Sequence, residues 1–177
     1  MGTYVVSLYF DDETDSWLRE LMQKIADKTG KHYMDTNNIP PHITVAMIKS
    51  EDCNSLMDKL DEIVTDMTSG EIEIVSVGIF KTSVVFLQPV LNRYLYDVSA
   101  RINALVPFDQ ASANRYMPFQ WMPHITIAKR LTDKEQIEAI RLLQAEHIQR
   151  KGIACNVRLA VTKPYSVIRL WKLGEHS

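Results

Sequence analysis

The chain has 177 residues, 46% of them hydrophobic, and a formal net charge of −2, enough material to bury one sizeable core. That near-neutral balance excludes a protein that wraps long nucleic acid through a broad basic footprint, and no apolar run approaches the roughly 18 residues of a bilayer span. The charge is uneven: residues 1–70 hold 6 basic and 13 acidic side chains, residues 129–177 hold 10 and 5, which marks either a local anion site toward the C-terminal half or solvated helix faces that differ.

In chain order, residues 3–10 are rich in β-formers and predict a strand. Asp12 reads as the N-cap of a helix whose apolar face is Trp17, Leu18, Leu21, Met22, Ile25 and Ala26, with Gly30 as its stop. The stretch 31–39 is polar, and Pro40-Pro41 forces an extended entry into the next segment. Ser50 opens a helix with Leu56, Leu60, Ile63, Val64 and Met67 on one face, followed by strands at about 71–80 and 83–89 joined in a hairpin at Lys81-Thr82. Leu91, Leu95, Val98, Ile102 and Leu105 form a third helical stripe, and a loop of about 107–120 leads to Met122-Pro123. Thr132-Asp133-Lys134-Glu135 is a capping-box pattern, with Ile137, Ile140 and Leu143 expected inward. Strands at about 154–162 and 165–173, joined at Lys163-Pro164, close the chain.

Within this order one phrase occurs twice. Pro41-His42-Ile43-Thr44-Val45-Ala46 and Pro123-His124-Ile125-Thr126-Ile127-Ala128 are identical at five of six positions. The histidines lie 82 residues apart, and the same offset relates Leu60 to Leu142, Val75 to Val157, Val77 to Leu159, Ile79 to Val161 and Val85 to Val167. Two copies of a supersecondary unit, each strand, helix, motif strand, helix, strand, point to a pseudo-symmetric pair of lobes. The expected fold is α+β: one domain over residues 1–177, with a bilobal, pseudo-two-fold duplicated unit, lobe motifs at 40–49 and 122–131, and antiparallel sheets around a central cleft with helices outside.

Side chains alternate across a strand, so residues i and i+2 share a face. Ile43, Val45, Ile125 and Ile127 are then core residues, while His42/Thr44 and His124/Thr126 leave the core together. Histidine is the side chain whose ordinary pKa lets it accept or donate a proton near neutrality. Two of them across one cleft divide an in-line displacement at phosphorus: the neutral ring takes a proton from the attacking hydroxyl or water, and the charged ring gives one to the departing oxygen. Each threonine, about 7 Å along its strand, bonds a phosphoryl oxygen. Proton transfer with hydroxyl and cationic donors handles the developing charge without a metal or other cofactor.

These residues resemble the 2H phosphoesterase superfamily, defined by two His-x-Thr/Ser motifs in a bilobal α+β fold. Within it the chain is most similar to the bacterial 2'-5' RNA ligase and cyclic phosphodiesterase branch. The resemblance implies opening of 2',3'-cyclic phosphates to 2'-phosphates, or the reverse joining at RNA ends, without a metal. It makes His42 and His124 catalytic and gives Thr44 and Thr126 to the phosphate. Where the family often has arginine, five residues after the second histidine, this chain has Lys129, which keeps the charge but loses the planar fork.

Beyond the motifs, Lys129 is either a cleft residue that binds phosphate or a solvated strand end. Arg115, Tyr116, Phe119 and Trp121, in or beside the loop before the second motif, either stack on a base or, for Phe119 and Trp121, cover the core. Lys81 and Lys163 read as solvated turn residues, and His32, His147 and His176 have no motif around them. No His/Cys/Asp cluster has metal-ligand spacing, no secretory signal opens the chain, and Cys53 and Cys155 suit a reducing compartment. The expectation is a cytoplasmic monomer whose partner is a nucleotide or RNA terminus bearing a cyclic phosphate. The competing readings are 2'-5' RNA end joining at the same site and a nucleotide- or RNA-binding module without turnover.

Overall fold

In the computed structural model, which describes residues 2–80, 83–104, 116–118, 120–146 and 148–175, the elements are β1 (Gly2–Phe10), α1 (Asp12–Thr29), α2 (Tyr33–Thr36), β2 (Ile43–Ser50), α3 (Cys53–Val64), β3 (Gly70–Phe80), β4 (Val84–Pro89), α4 (Arg93–Asn103), β5 (Ile125–Lys129), α5 (Asp133–Ala145), β6 (Arg150–Thr162) and β7 (Tyr165–Lys172). The helix starts follow from side chains that satisfy first-turn amides. Asp11 accepts from Thr14 N, Asp52 from Asn54 N and Ser55 N, Asn92 from Leu95 N, and Thr132 with Glu135 forms the capping box. Two expected caps, Asp12 and Ser50, therefore move to Asp11 and Asp52. Gly30 ends α1 with φ 68°, a left-handed position that glycine occupies without steric cost.

All seven strands form one antiparallel sheet in the order β1-β2-β5-β4-β3-β6-β7, and β1 also pairs with β6. Six strands thus close on themselves as two triplets, β6-β1-β2 and β3-β4-β5, joined at β3–β6 and at β2–β5. The triplets match in detail. The β1–β2 ladder has a bulge between Val6 and Ser7, and the β4–β5 ladder has one between Val85 and Phe86. Ser7 faces Thr44 and Arg158, as Phe86 faces Thr126 and Gly78. The fold is α+β and bilobal, with the two triplets as its lobes.

These registers correct the uniform offset of 82. It holds for the motif strands, but the bulges lie 79 apart, and Gly78 and Arg158, like the caps Asp52 and Thr132, lie 80 apart. Val85 is the counterpart of Val6, so β7 has no partner in the duplication. Connections of unequal length shift the numbering, while the side-chain faces survive wherever the shift is two, the pleat period.

Each lobe's first helix covers the other lobe's motif strand: α1 packs on β5 and α5, α4 on β2 and α3. One contiguous core results, with Leu18, Leu21, Ile25, Ile43, Leu60, Leu95, Ile102 and Ile125 at most 1% exposed, each contributing roughly 1.5–3 kcal/mol by burial. The face of α5 differs from expectation. Gln136, Ala139 and Leu143 are buried at i, i+3, i+7 spacing, whereas Ile137, about 100° round the helix, is 52% exposed. Leu143 is inward as expected, Leu142 is only half-buried, and Leu91 lies exposed ahead of α4. The polar stretch after α1 contains the single turn α2, too short to show a period. Among the described residues no helix is long and apolar enough to cross a membrane.

Candidate active site

Strands β2 and β5 touch at one pair, Ile43 opposite Ile125, and diverge from there. Each of these residues directly follows its histidine. Antiparallel register then sets His42 across from Thr126 and Thr44 across from His124, all four on the face opposite the isoleucines. Neighbouring side chains in such a square are about 5 Å apart across the strands and 7–8 Å along the diagonal. His42 and His124 are close enough for charge on one to oppose charge on the other. Thr44 is half-buried, and Thr126 is buried.

The gap where β2 and β5 part is closed by side chains instead of a ladder. Trp121 donates its indole N–H to Thr44 O at 3.0 Å, and Asn103, at the end of α4, donates to Val45 O at 3.1 Å. A buried carbonyl needs such a partner. Trp121, expected among possible base-stacking residues, is 5% exposed and belongs to the core. Tyr116 is half-buried against that same core. Arg115, Phe119, Lys81, Leu105, His147 and His176 lie outside the described residues.

Both histidines are oriented the same way. His42 Nδ1 lies 2.8 Å from Pro40 O, and His124 Nδ1 lies 3.0 Å from Met122 O, each the carbonyl two residues earlier. A carbonyl only accepts, so each Nδ1 carries the proton, and Nε2 is the ring nitrogen that gains or loses one. In the neutral ring that Nε2 is a base.

The two walls differ. On the His42 side, Tyr9 stacks on the imidazole at 5.8 Å, and the Arg158 guanidinium lies over the Tyr9 ring, 4.1 Å from its centroid. The Tyr9 hydroxyl is 2.8 Å from that of Tyr165, and burial pushes its ionisation upward. Ser7, 1% exposed, donates to Thr44 Oγ1 at 3.5 Å. Burial holds the His42 pKa down to about 4, with the positive charges of Lys129, His124 and Arg158 adding to the effect and the Pro40 contact opposing it. Lys129 is half-buried, which lowers its own pKa, and its charge acts on His42. The neighbouring Arg130 instead lies over the Tyr33 ring, 4.4 Å from its centroid.

On the other side, His124 meets the edges of Phe80 and Phe86 at 4.8 and 5.5 Å, and those rings stack on each other at 4.3 Å. Gly78 permits this: a Cβ there would sit 2.2 Å from Phe86 Cζ. The duplicated row that reads Arg158–Ser7–Thr44 in one lobe reads Gly78–Phe86–Thr126 in the other. One framework therefore carries a polar, cationic wall and an aromatic one.

Sequence reasoning missed Arg158, Ser7, Tyr9, Phe80 and Phe86. A signal existed for three of them: Ser7 and Tyr9 alternate with Val6, Leu8 and Phe10, and Arg158 alternates with Val157 and Leu159, so polar groups interrupt apolar strands on one face. Among the described residues no group of three or more His, Cys, Asp or Glu side chains is placed to hold a metal ion.

A bilobal fold with two His-x-Thr strands meeting at their histidine ends defines the two-histidine phosphoesterase class. The chain belongs to the 2'-5' RNA ligase superfamily, whose family model matches residues 10–163. Among solved structures, TT0787 of Thermus thermophilus is 15% identical with a TM-score of 0.62, covering 98% of this chain and 100% of that one. E. coli LigT complexed with 3'-AMP is 13% identical, TM-score 0.59, covering 97% of each chain. Kluyveromyces marxianus Usb1 is 13% identical, TM-score 0.57, covering 97% of this chain and 98% of that one. No curated protein sequence matches this chain.

Proposed function

We propose that the protein is a metal-independent phosphodiesterase that opens the 2',3'-cyclic phosphate of a nucleotide or RNA end to a 2'-phosphate. The observation that supports this reading is the single Ile43–Ile125 pair, whose antiparallel register puts His42, Thr44, His124 and Thr126 on one face of two neighbouring strands, with His42 held neutral above about pH 4. His42 Nε2 takes a proton from water as the water oxygen bonds to phosphorus. The P–O3' bond breaks on the opposite side, and His124 Nε2 delivers a proton to the departing O3'. One water is added, and the two imidazoles exchange protonation states until solvent resets them. Thr44, Thr126, Lys129 and Arg158 hold the non-bridging oxygens, whose charge grows in the transition state. Phe80, 37% exposed and stacked on Phe86, offers the nucleobase a surface beside the leaving oxygen.

The test is turnover of 2',3'-cyclic AMP with the product's phosphate position read by phosphorus NMR. The expected product is the 2'-monophosphate, and His42→Ala and His124→Ala each lower kcat/KM at least ~10²-fold, the usual scale of acid–base catalysis. A 3'-monophosphate product, absence of turnover, or an unimpaired single variant refutes the reading.

A further inference from the structure

The cleft does not end at His42. Beside Pro40, whose carbonyl holds the His42 ring, a depression of about 370 Å³ opens between the α2 segment and the β6–β7 wall, bordered by Arg158, Tyr165 and Val167. It shares Arg19, Met34, Asp35 and Ile39 with a second depression of about 360 Å³ between α1 and the 31–39 segment. Together they form one groove that starts at the catalytic wall and leads away from it. Each part lies within the ~300–1,000 Å³ range of ligand pockets.

The groove's chemistry is particular. At its inner end the Arg158 Nε is buried without a hydrogen-bond partner among the described residues, a costly arrangement for a guanidinium unless an anion completes it. Arg19 supplies a second cation farther out, with a side chain 56% exposed and tied to Asp15. Between them Met34, Ile39 and Val167, the last 40% exposed, offer apolar surface, and Tyr165 a ring. Asp35, an acceptor only, suits hydroxyl or amino groups and repels phosphate. The wall is built partly by β7, which has no counterpart strand among the described residues of the other lobe.

We infer that this groove is a subsite for the nucleotide adjoining the reactive phosphate, which makes a short oligonucleotide, not a mononucleotide, the preferred substrate. The inference rests on the phosphodiesterase reading above. Arg158 bridges the reacting phosphate and the neighbouring diester, while the apolar strip holds the adjoining sugar and base.

The experiment compares kcat/KM for 2',3'-cyclic AMP with that for the dinucleotide ApA ending in a 2',3'-cyclic phosphate. The dinucleotide is expected to be favoured at least ~10-fold, the effect of about 1.4 kcal/mol of added contact. Val167→Trp, which fills the groove, and Arg19→Glu, which reverses its outer charge, should each remove most of that preference, with unfolding midpoints recorded for both. Should Val167→Trp fail to fold, Arg19→Glu carries the test. Equal use of the two substrates by the wild type, or an unchanged ratio in a folded variant, overturns the subsite and leaves the phosphodiesterase reading standing. Turnover of neither substrate overturns both.

Discussion

His42→Asn is the most searching perturbation. The asparagine amide can keep the donor to Pro40 O, but it removes the titrating ring. In the wild type the His42 pKa falls from the ordinary 6.5 to about 4 because the charged form would be buried beside Lys129 and Arg158. Above pH 6.5 neither the folded nor the unfolded chain protonates this ring, and it adds no pH dependence. As pH falls from 6.5 to 4 the unfolded chain takes up a proton that the folded chain refuses, so stability drops with decreasing pH; below about 4 both are charged and the loss levels off. A gap of that size between folded and unfolded states corresponds to about 3 kcal/mol. Urea unfolding of wild type and variant at pH 4, 5, 6 and 7 measures it, because subtracting the variant cancels the other titrating groups. The stability difference should shift by about 2–3 kcal/mol over that range, with the wild type losing more. Parallel profiles, agreeing within ~0.5 kcal/mol at every pH, would refute the claim that the fold keeps His42 neutral. Turnover should follow the same titration, declining on the acid side only near pH 4.

Trp121→Phe keeps most of the buried ring but leaves Thr44 O without its donor, so urea unfolding at pH 7 should show a loss of about 1–2 kcal/mol; no change would mean that water replaces the indole. Turnover of 2',3'-cyclic AMP should persist in excess chelator, measured by product release after dialysis. Loss of activity that added metal restores would contradict a mechanism built on proton transfer alone.

Much of the site was legible because strand chemistry is local. The alternation of His42-Ile43-Thr44 and His124-Ile125-Thr126 already separates a reacting face from a buried one, and both central isoleucines are fully buried in the structure. Helix ends were legible to within a residue or two, since capping depends on side chains beside the turn they satisfy. The face of α5 was not. Leu143 is inward as expected, but Ile137 and Ile140 are more apolar than Gln136 and Ala139, which take their place, and only the elements packed beneath the helix select that face. Trp121 was ambiguous for a similar reason: an indole before a motif serves a ligand or a core equally well until its N–H has a partner.

What the sequence by itself determined is the repeated unit and its chemistry: two histidines and two threonines on matching strands, in a chain with core enough to hold them. Only the tertiary structure decided that the two units differ. Ladder pairing brings Arg158 beside Ser7 in one lobe and Gly78 beside Phe86 in the other, residues equivalent in register but unrelated in type. The strands that carry these residues lie far in sequence from the histidine they face, so their effect on each imidazole, cationic and desolvating for His42, aromatic for His124, exists only once the ring of strands has closed.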